Sequence, residues 1–178
     1  MDAQALRQLQ APLKQAYRDN PSAAIVTMTA AGVVDASQLT CQVETARGEV
    51  TAGLHVAAGG NGSQACSGDM LLQALVACSG VTLAAVATAL GIEIRSANII
   101  AQAEMDFRGT LGLEKSVPVG ITTVSLQFLI DSPVDDAQLS KLVELCERYC
   151  VVWQSLAQAI RRSTSWQRIS KPSLPCTP

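Results

Sequence analysis

The chain has 178 residues, of which 48% are hydrophobic but only 3% aromatic, with a net charge of -2 and an isoelectric point near 5.3. Such a length suits one domain whose core is built from Ala, Val, Leu and Ile rather than from rings. The charge offers no field that would collect phosphates, which argues against nucleic acid and against anionic membrane surfaces as partners.

Leu6, Leu9, Leu13 and Tyr17 recur at spacings of three and four, so an amphipathic helix is expected within residues 1–20, with Pro12 marking a break or kink. The opening "MDAQALRQLQ" does not join a basic segment to an apolar run as a secretion signal does, and a cytoplasmic location is the expectation. Three strand-length segments follow, Ala24 to Thr29, Leu39 to Thr45 and Val50 to Val56. The second alternates cleanly, and "ARGE" reads as a tight hairpin turn before the third. "AAGGNGSQACSG" lacks both dinucleotide and P-loop spacing and reads as a flexible connection.

From Met70 to Ile92 no residue is charged; Ser67 or Asp69 can cap this helix and Gly91 can end it. The run is long enough for a membrane span. Its scattered Gln73, Ser79, Thr82 and Thr88, its many alanines and the strands around it point instead to a helix buried on nearly all sides. A chain of this size covers such a helix with difficulty, so a second copy is expected to help. Ile99 to Phe107 and Val124 to Ile130 alternate as half-buried strands, and the connection between them, Arg108 to Gly120, is long enough to be a functional loop. A last helix starts at Asp135 or Asp136 and breaks near Cys150. Residues 161–178 form a basic, aperiodic tail expected to be extended or disordered. Strands cluster in two groups without strand–helix–strand alternation, so the fold class is α+β, a single domain over 1–160.

Six cysteines, at positions 41, 66, 78, 146, 150 and 176, lie within helix and strand patterns and are read as mostly reduced. A lone cysteine in an Ala-rich helix usually only fills space. Cys78 gains interest from Cys150, since two long helices can bring two thiols together across a core. An attacking thiol must be ionised, which calls for a nearby cation, and Arg47, Arg108 and Arg148 are the candidates. Asp69 stands nine residues before Cys78, about 13 Å of helical rise and half a revolution away. It can therefore act on such a thiol only in a site shared with another chain. His55 is the sole histidine and no C-x-x-C pair exists, which leaves a structural metal site without its ligand set. A hydrolase triad also lacks its parts.

"GGNGSQACSGDMLLQALVACSGVTLAAVATALGI" followed by "LCERYCVVWQSL" resembles the OsmC family, which includes the Ohr organic hydroperoxide resistance proteins. The resemblance spans roughly Gly59 to Leu156. It implies an intertwined α+β homodimer, with antiparallel strands wrapped around a long buried central helix and sites at the subunit interface. It further implies a thiol peroxidase with Cys78 as peroxidatic and Cys150 as resolving cysteine. By the same resemblance Asp69 corresponds to the family's helix-opening Glu, and Arg47 to the activating Arg of its N-terminal hairpin. Two positions depart from the family pattern: Val151 stands where a proline usually follows the second cysteine, and the acid at Asp69 is one carbon shorter. The expected reaction reduces organic hydroperoxides, with an external dithiol as reductant and with no metal, flavin or haem. The alternative is a non-catalytic dimeric protein that binds a small apolar ligand.

Overall fold

The computed structural model describes residues 1–45 and 48–157. They fold as two compact units, one drawn from residues 1–27, 74–101 and 125–157, the other from 28–73 and 102–124.

The first unit opens with helix α1, Ala3–Asp19, capped by the Asp2 carboxylate, which accepts from the Ala5 N–H at 2.8 Å. Of the break or kink expected at Pro12, no break occurs, since the helix runs on through it, and none of its residues is buried; Leu9 is 60% exposed and Leu13 53%. The long helix α2, Ser67–Leu90, begins in the second unit and carries its middle and end through the first. One row of it is buried, Leu75, Ser79, Leu83 and Ala87, the i, i+4 spacing that places side chains on one stripe. The stripe packs on α4, Asp136–Tyr149, in a core of Leu83, Ala87, Leu142 and Cys146 flanked by Ile99, Phe128 and Ile130. Other faces of α2 stay open within the chain, and Val81 is 73% exposed. The helix ends where Gly91 takes a left-handed φ of 70°, letting the Ile92 N–H reach the Ala87 carbonyl at 2.9 Å.

Strands β5, Ser96–Met105, and β6, Ile121–Asp131, form a two-stranded sheet that passes through both units. The Arg95 N–H meets the Asp131 carbonyl at one end and Thr122 Oγ1 donates to the Glu104 carbonyl at the other, so the pair is antiparallel. The expected strand to Phe107 stops at Met105. Asp106 instead caps a short helix α3, Phe107–Thr110, by accepting from the Arg108 N–H, and this local capping takes the chain out of the sheet. At the other end of α4, Cys150 is the C-cap with φ -72° and ψ 108°, and α5, Val151–Ala157, restarts after it. The break expected near Cys150 is therefore present.

The second unit holds a four-stranded sheet in the order β1-β2-β3-β4: Gly32–Asp35, Thr40–Thr45, Gly48–Gly53 and Ala65–Cys66. The first three strands are antiparallel, with Val34 opposite Cys41 and Val43 opposite Val50, and β4 runs parallel to β3. The strand expected over Ala24 to Thr29 does not form. Pro21–Ala24 is a 3-10 turn, the residues after it have no regular structure, and Met28 is 85% exposed. The place beside β2 belongs to Gly32–Asp35, and a strand without a ladder partner has nothing to satisfy its backbone. The strand expected as far as Val56 ends at Gly53, because His55 begins another 3-10 turn, Val56–Ala58. The glycine-rich stretch then closes on itself instead of running as an open connection. The backbone comes so close at Gly60 that a Cβ there would lie 1.8 Å from the Leu54 carbonyl oxygen, and the Asn61 side chain accepts from both the N–H and the hydroxyl of Ser63.

Candidate functional site

The first unit brings four side chains together at the junction of α2, α4 and α5. Cys78 lies half-buried on α2, and the next residue, Ser79, is fully buried with its hydroxyl 3.4 Å from Cys150 Sγ. Cys146, one helical turn before Cys150, donates its S–H to the Ser79 carbonyl at 3.4 Å. Cys146 and Cys150 are both completely buried. The Cys150 N–H still closes the α4 ladder on the Cys146 carbonyl, while its own carbonyl accepts the first α5 bond from Gln154. The residue is thus held by backbone bonds on both sides of a bend.

That bend turns the start of α5 toward Cys78. Burial alone would push the Cys78 pKa up, but it is outweighed by hydrogen bonds from the Val152 N–H, the Cys150 thiol and the Val151 N–H, and the net shift is downward from 9.0. These N–H groups belong to the first residues of a helix, which have no partner inside it and are free to face an anion. Thr82 donates to the Cys78 carbonyl one turn back at 2.8 Å. Cys146 moves the opposite way: burial first, then the negative charge of Cys150, Cys78 and Glu147, pushes its pKa up to about 12. Cys78 and Cys146 are therefore shifted in opposite directions, the first toward ionisation and the second toward a neutral donor.

Of the four residues expected to form a site, Cys78 and Cys150 come together. Arg47 lies outside the described residues. Asp69 is exposed in the first turn of α2, in the second unit. There it lines a cavity of about 360 Å³ with His55, Cys66, Glu104 and Phe107. His55 stacks on Phe107 with ring centroids 4.9 Å apart, and its Nδ1 accepts from the Ala57 N–H. Of the other cations considered, Arg108 is forked onto the Asp106 carboxylate at 2.5 Å and 3.0 Å, holding that carboxyl down at about 2, and Arg148 lies 5.5 Å over the Tyr149 ring. The lowering at Cys78 owes nothing to a cation among the described residues. Sequence reasoning missed the donors that face the thiol, the backbone N–H groups of Val151 and Val152. The break at Cys150 was the one available signal for them. Among the described residues no group of three or more His, Cys, Asp or Glu side chains is placed to hold a metal ion.

With this geometry in view, comparison with known proteins is informative. The family described as OsmC-like protein matches residues 60–165. Among solved structures the chain is similar to an OsmC-like protein from Mycoplasma pneumoniae, at 16% identity and a TM-score of 0.62, over 74% of this chain and 88% of that one. It is also similar to an organic hydroperoxide resistance protein OsmC from Legionella pneumophila, at 15% identity and a TM-score of 0.58, over 74% and 91% of the two chains. An organic hydroperoxide resistance protein from Elizabethkingia anophelis, with thiocyanate bound, aligns at 16% identity and a TM-score of 0.58 over 73% and 89%. At such identities the likeness establishes the fold, and the α+β architecture expected from the sequence is the one these proteins have. No curated protein sequence matches the chain.

Proposed function

This chain belongs to the OsmC family, and from that premise we propose that it is a thiol peroxidase that reduces organic hydroperoxides to alcohols. The carrying observation is the meeting of two free thiols far apart in sequence, Cys78 on α2 and Cys150 at the bend beside Ser79, with the α5 amides holding the Cys78 pKa down. The Cys78 thiolate attacks the distal oxygen of R–O–O–H; the O–O bond breaks, the alkoxide leaves as ROH after taking a proton, and sulfur becomes a sulfenic acid. Cys150 sulfur then displaces that hydroxyl as water, forming the 78–150 disulfide, and an external dithiol returns both to thiols.

The apolar character of α2 favours an organic over an inorganic peroxide. Arg47 and Asp69 would join the thiol in a homodimer, where a second copy covers what one chain leaves open. Support for that second copy comes from α2, buried along one row only, and from the exposed apolar row Leu9, Leu13 and Tyr17 of α1. By length and composition alone α2 could also cross a membrane. We place it inside a dimer in the cytoplasm, with residues 1–160 acting as one OsmC-like domain.

The test is one equivalent of cumene hydroperoxide added to the fully reduced chain, read by intact mass and peptide mapping. Loss of two hydrogens, located to a Cys78–Cys150 bridge, is expected. Cys78→Ser should abolish turnover, and Cys150→Ser should leave a sulfenic acid that dimedone traps at Cys78. Thiols that stay unmodified would refute the reading and leave a binding protein with the same fold.

A further inference from the structure

Ser79 touches both cysteines of the last α4 turn, one through each of its polar groups: the hydroxyl lies against Cys150 Sγ and the carbonyl accepts from Cys146. A hydroxyl as fully enclosed as this one needs a partner, and the Cys150 sulfur is the one it has. Ser79 Oγ and Cys150 Sγ lie 3.4 Å apart, with either able to donate, and the Cys150 thiol in turn faces Cys78, so the three side chains stand in one row. Burial pushes the Cys146 pKa up to about 12, so near neutral pH it anchors the turn without competing as a nucleophile.

We propose that Ser79 is a positioning residue for disulfide closure: its hydroxyl selects the Cys150 rotamer that aims the sulfur at Cys78, while its carbonyl holds the last turn of α4 through Cys146. A cysteine side chain has three staggered wells, and disulfide geometry is strict, so only a well that faces α2 is competent. Cys150 needs such selection because it sits at a bend, with ψ at 108°, outside the constraint of a helix. A typical intramolecular hydrogen bond biases such a choice by about fivefold. The biological use of the device rests on the peroxidase reading, whereas its geometry does not, and the experiment separates the two.

Wild type and Ser79→Ala are oxidised with excess diamide, so that closure is the slow step, and the 78–150 disulfide is followed by quenched peptide mapping. Diamide adds to one thiolate and is displaced by the other sulfur, taking up two electrons and two protons as the S–S bond forms. Ser79→Ala should close about fivefold more slowly. With cumene hydroperoxide its Cys78 sulfenic acid, once formed, should persist about fivefold longer than in wild type. Ser79→Thr keeps the hydroxyl without adding a thiol and should recover most of the closure rate, a rescue that a merely structural defect would not show. Closure of Ser79→Ala at the wild-type rate, or equal slowing in both variants, overturns the proposal. If diamide closure depends on Ser79 while wild type ignores cumene hydroperoxide, positioning stands and the peroxidase reading falls.

Discussion

Replacing Val151 with proline removes one backbone N–H from Cys78 and disturbs little else. Val151 is the first residue of α5, a position where proline is favoured because the amide has no helical acceptor. The residue before it, Cys150, is in extended backbone at φ -72° and ψ 108°, close to the region a residue preceding proline prefers. Fold and stability should therefore survive, with a thermal midpoint equal to or slightly above wild type because proline restricts the unfolded chain. The thiolate, however, loses one of two amide donors. A hydrogen bond to a charged group contributes about 1.5 kcal/mol at the lower end of its range, which corresponds to about tenfold in an equilibrium. At neutral pH the thiolate fraction of Cys78, and with it the rate of alkylation by limiting iodoacetamide mapped to that residue, should fall by about tenfold. The rate–pH curve should move to higher pH, with both proteins converging once the thiol is fully ionised. Superimposable curves for wild type and Val151→Pro would show that the amides do not activate Cys78.

Leu142→Ala empties a fully buried site on α4 between Leu83, Ala87 and Cys146 without weakening helix propensity, and should cost about 2–5 kcal/mol by urea denaturation with an unchanged slope. Cys146 makes stability fall at alkaline pH. Its folded pKa of about 12 lies above the unfolded value near 9, so the folded chain keeps a proton that the unfolded chain releases. The contribution is complete below about pH 9 and is lost at up to about 1.4 kcal/mol per pH unit as pH rises toward 12. Lysines and tyrosines titrate in the same window, so the measurement is the difference in urea midpoint between wild type and Cys146→Ala against pH; a difference that stays flat refutes the assignment.

What could be read from the sequence follows what has a period or a letter. The alternation of Cys41 and Val43 with Gln42 and Glu44 placed β2 to within a residue, and the long alternating runs located β5 and β6. The uncharged run from Met70 to Ile92 identified α2. β1 went unseen because "GVVD" is too short to show alternation, and Ala24 to Thr29 was mistaken for it because apolar content says nothing about whether a ladder partner exists. Among the site residues, Cys78 and Cys150 were legible as two thiols on two helices, with a break marking the second. The donors that lower the Cys78 pKa were not, because a backbone N–H is carried by every residue except proline and becomes a feature only when the chain bends.

That distinction changes what activates the thiol. An arginine is a mobile cation on a long side chain, delivered by a separate segment and screened by salt when exposed. The α5 amides are fixed by the same bend that places Cys150, so the geometry that presents the second sulfur also presents the donors that ionise the first. On the peroxidase reading proposed above, coupling both to one turn would make activation and disulfide closure properties of a single chain. A proline at position 151 would keep the bend and remove one donor. Valine at this position keeps a second amide aimed at the thiol, beside that of Val152.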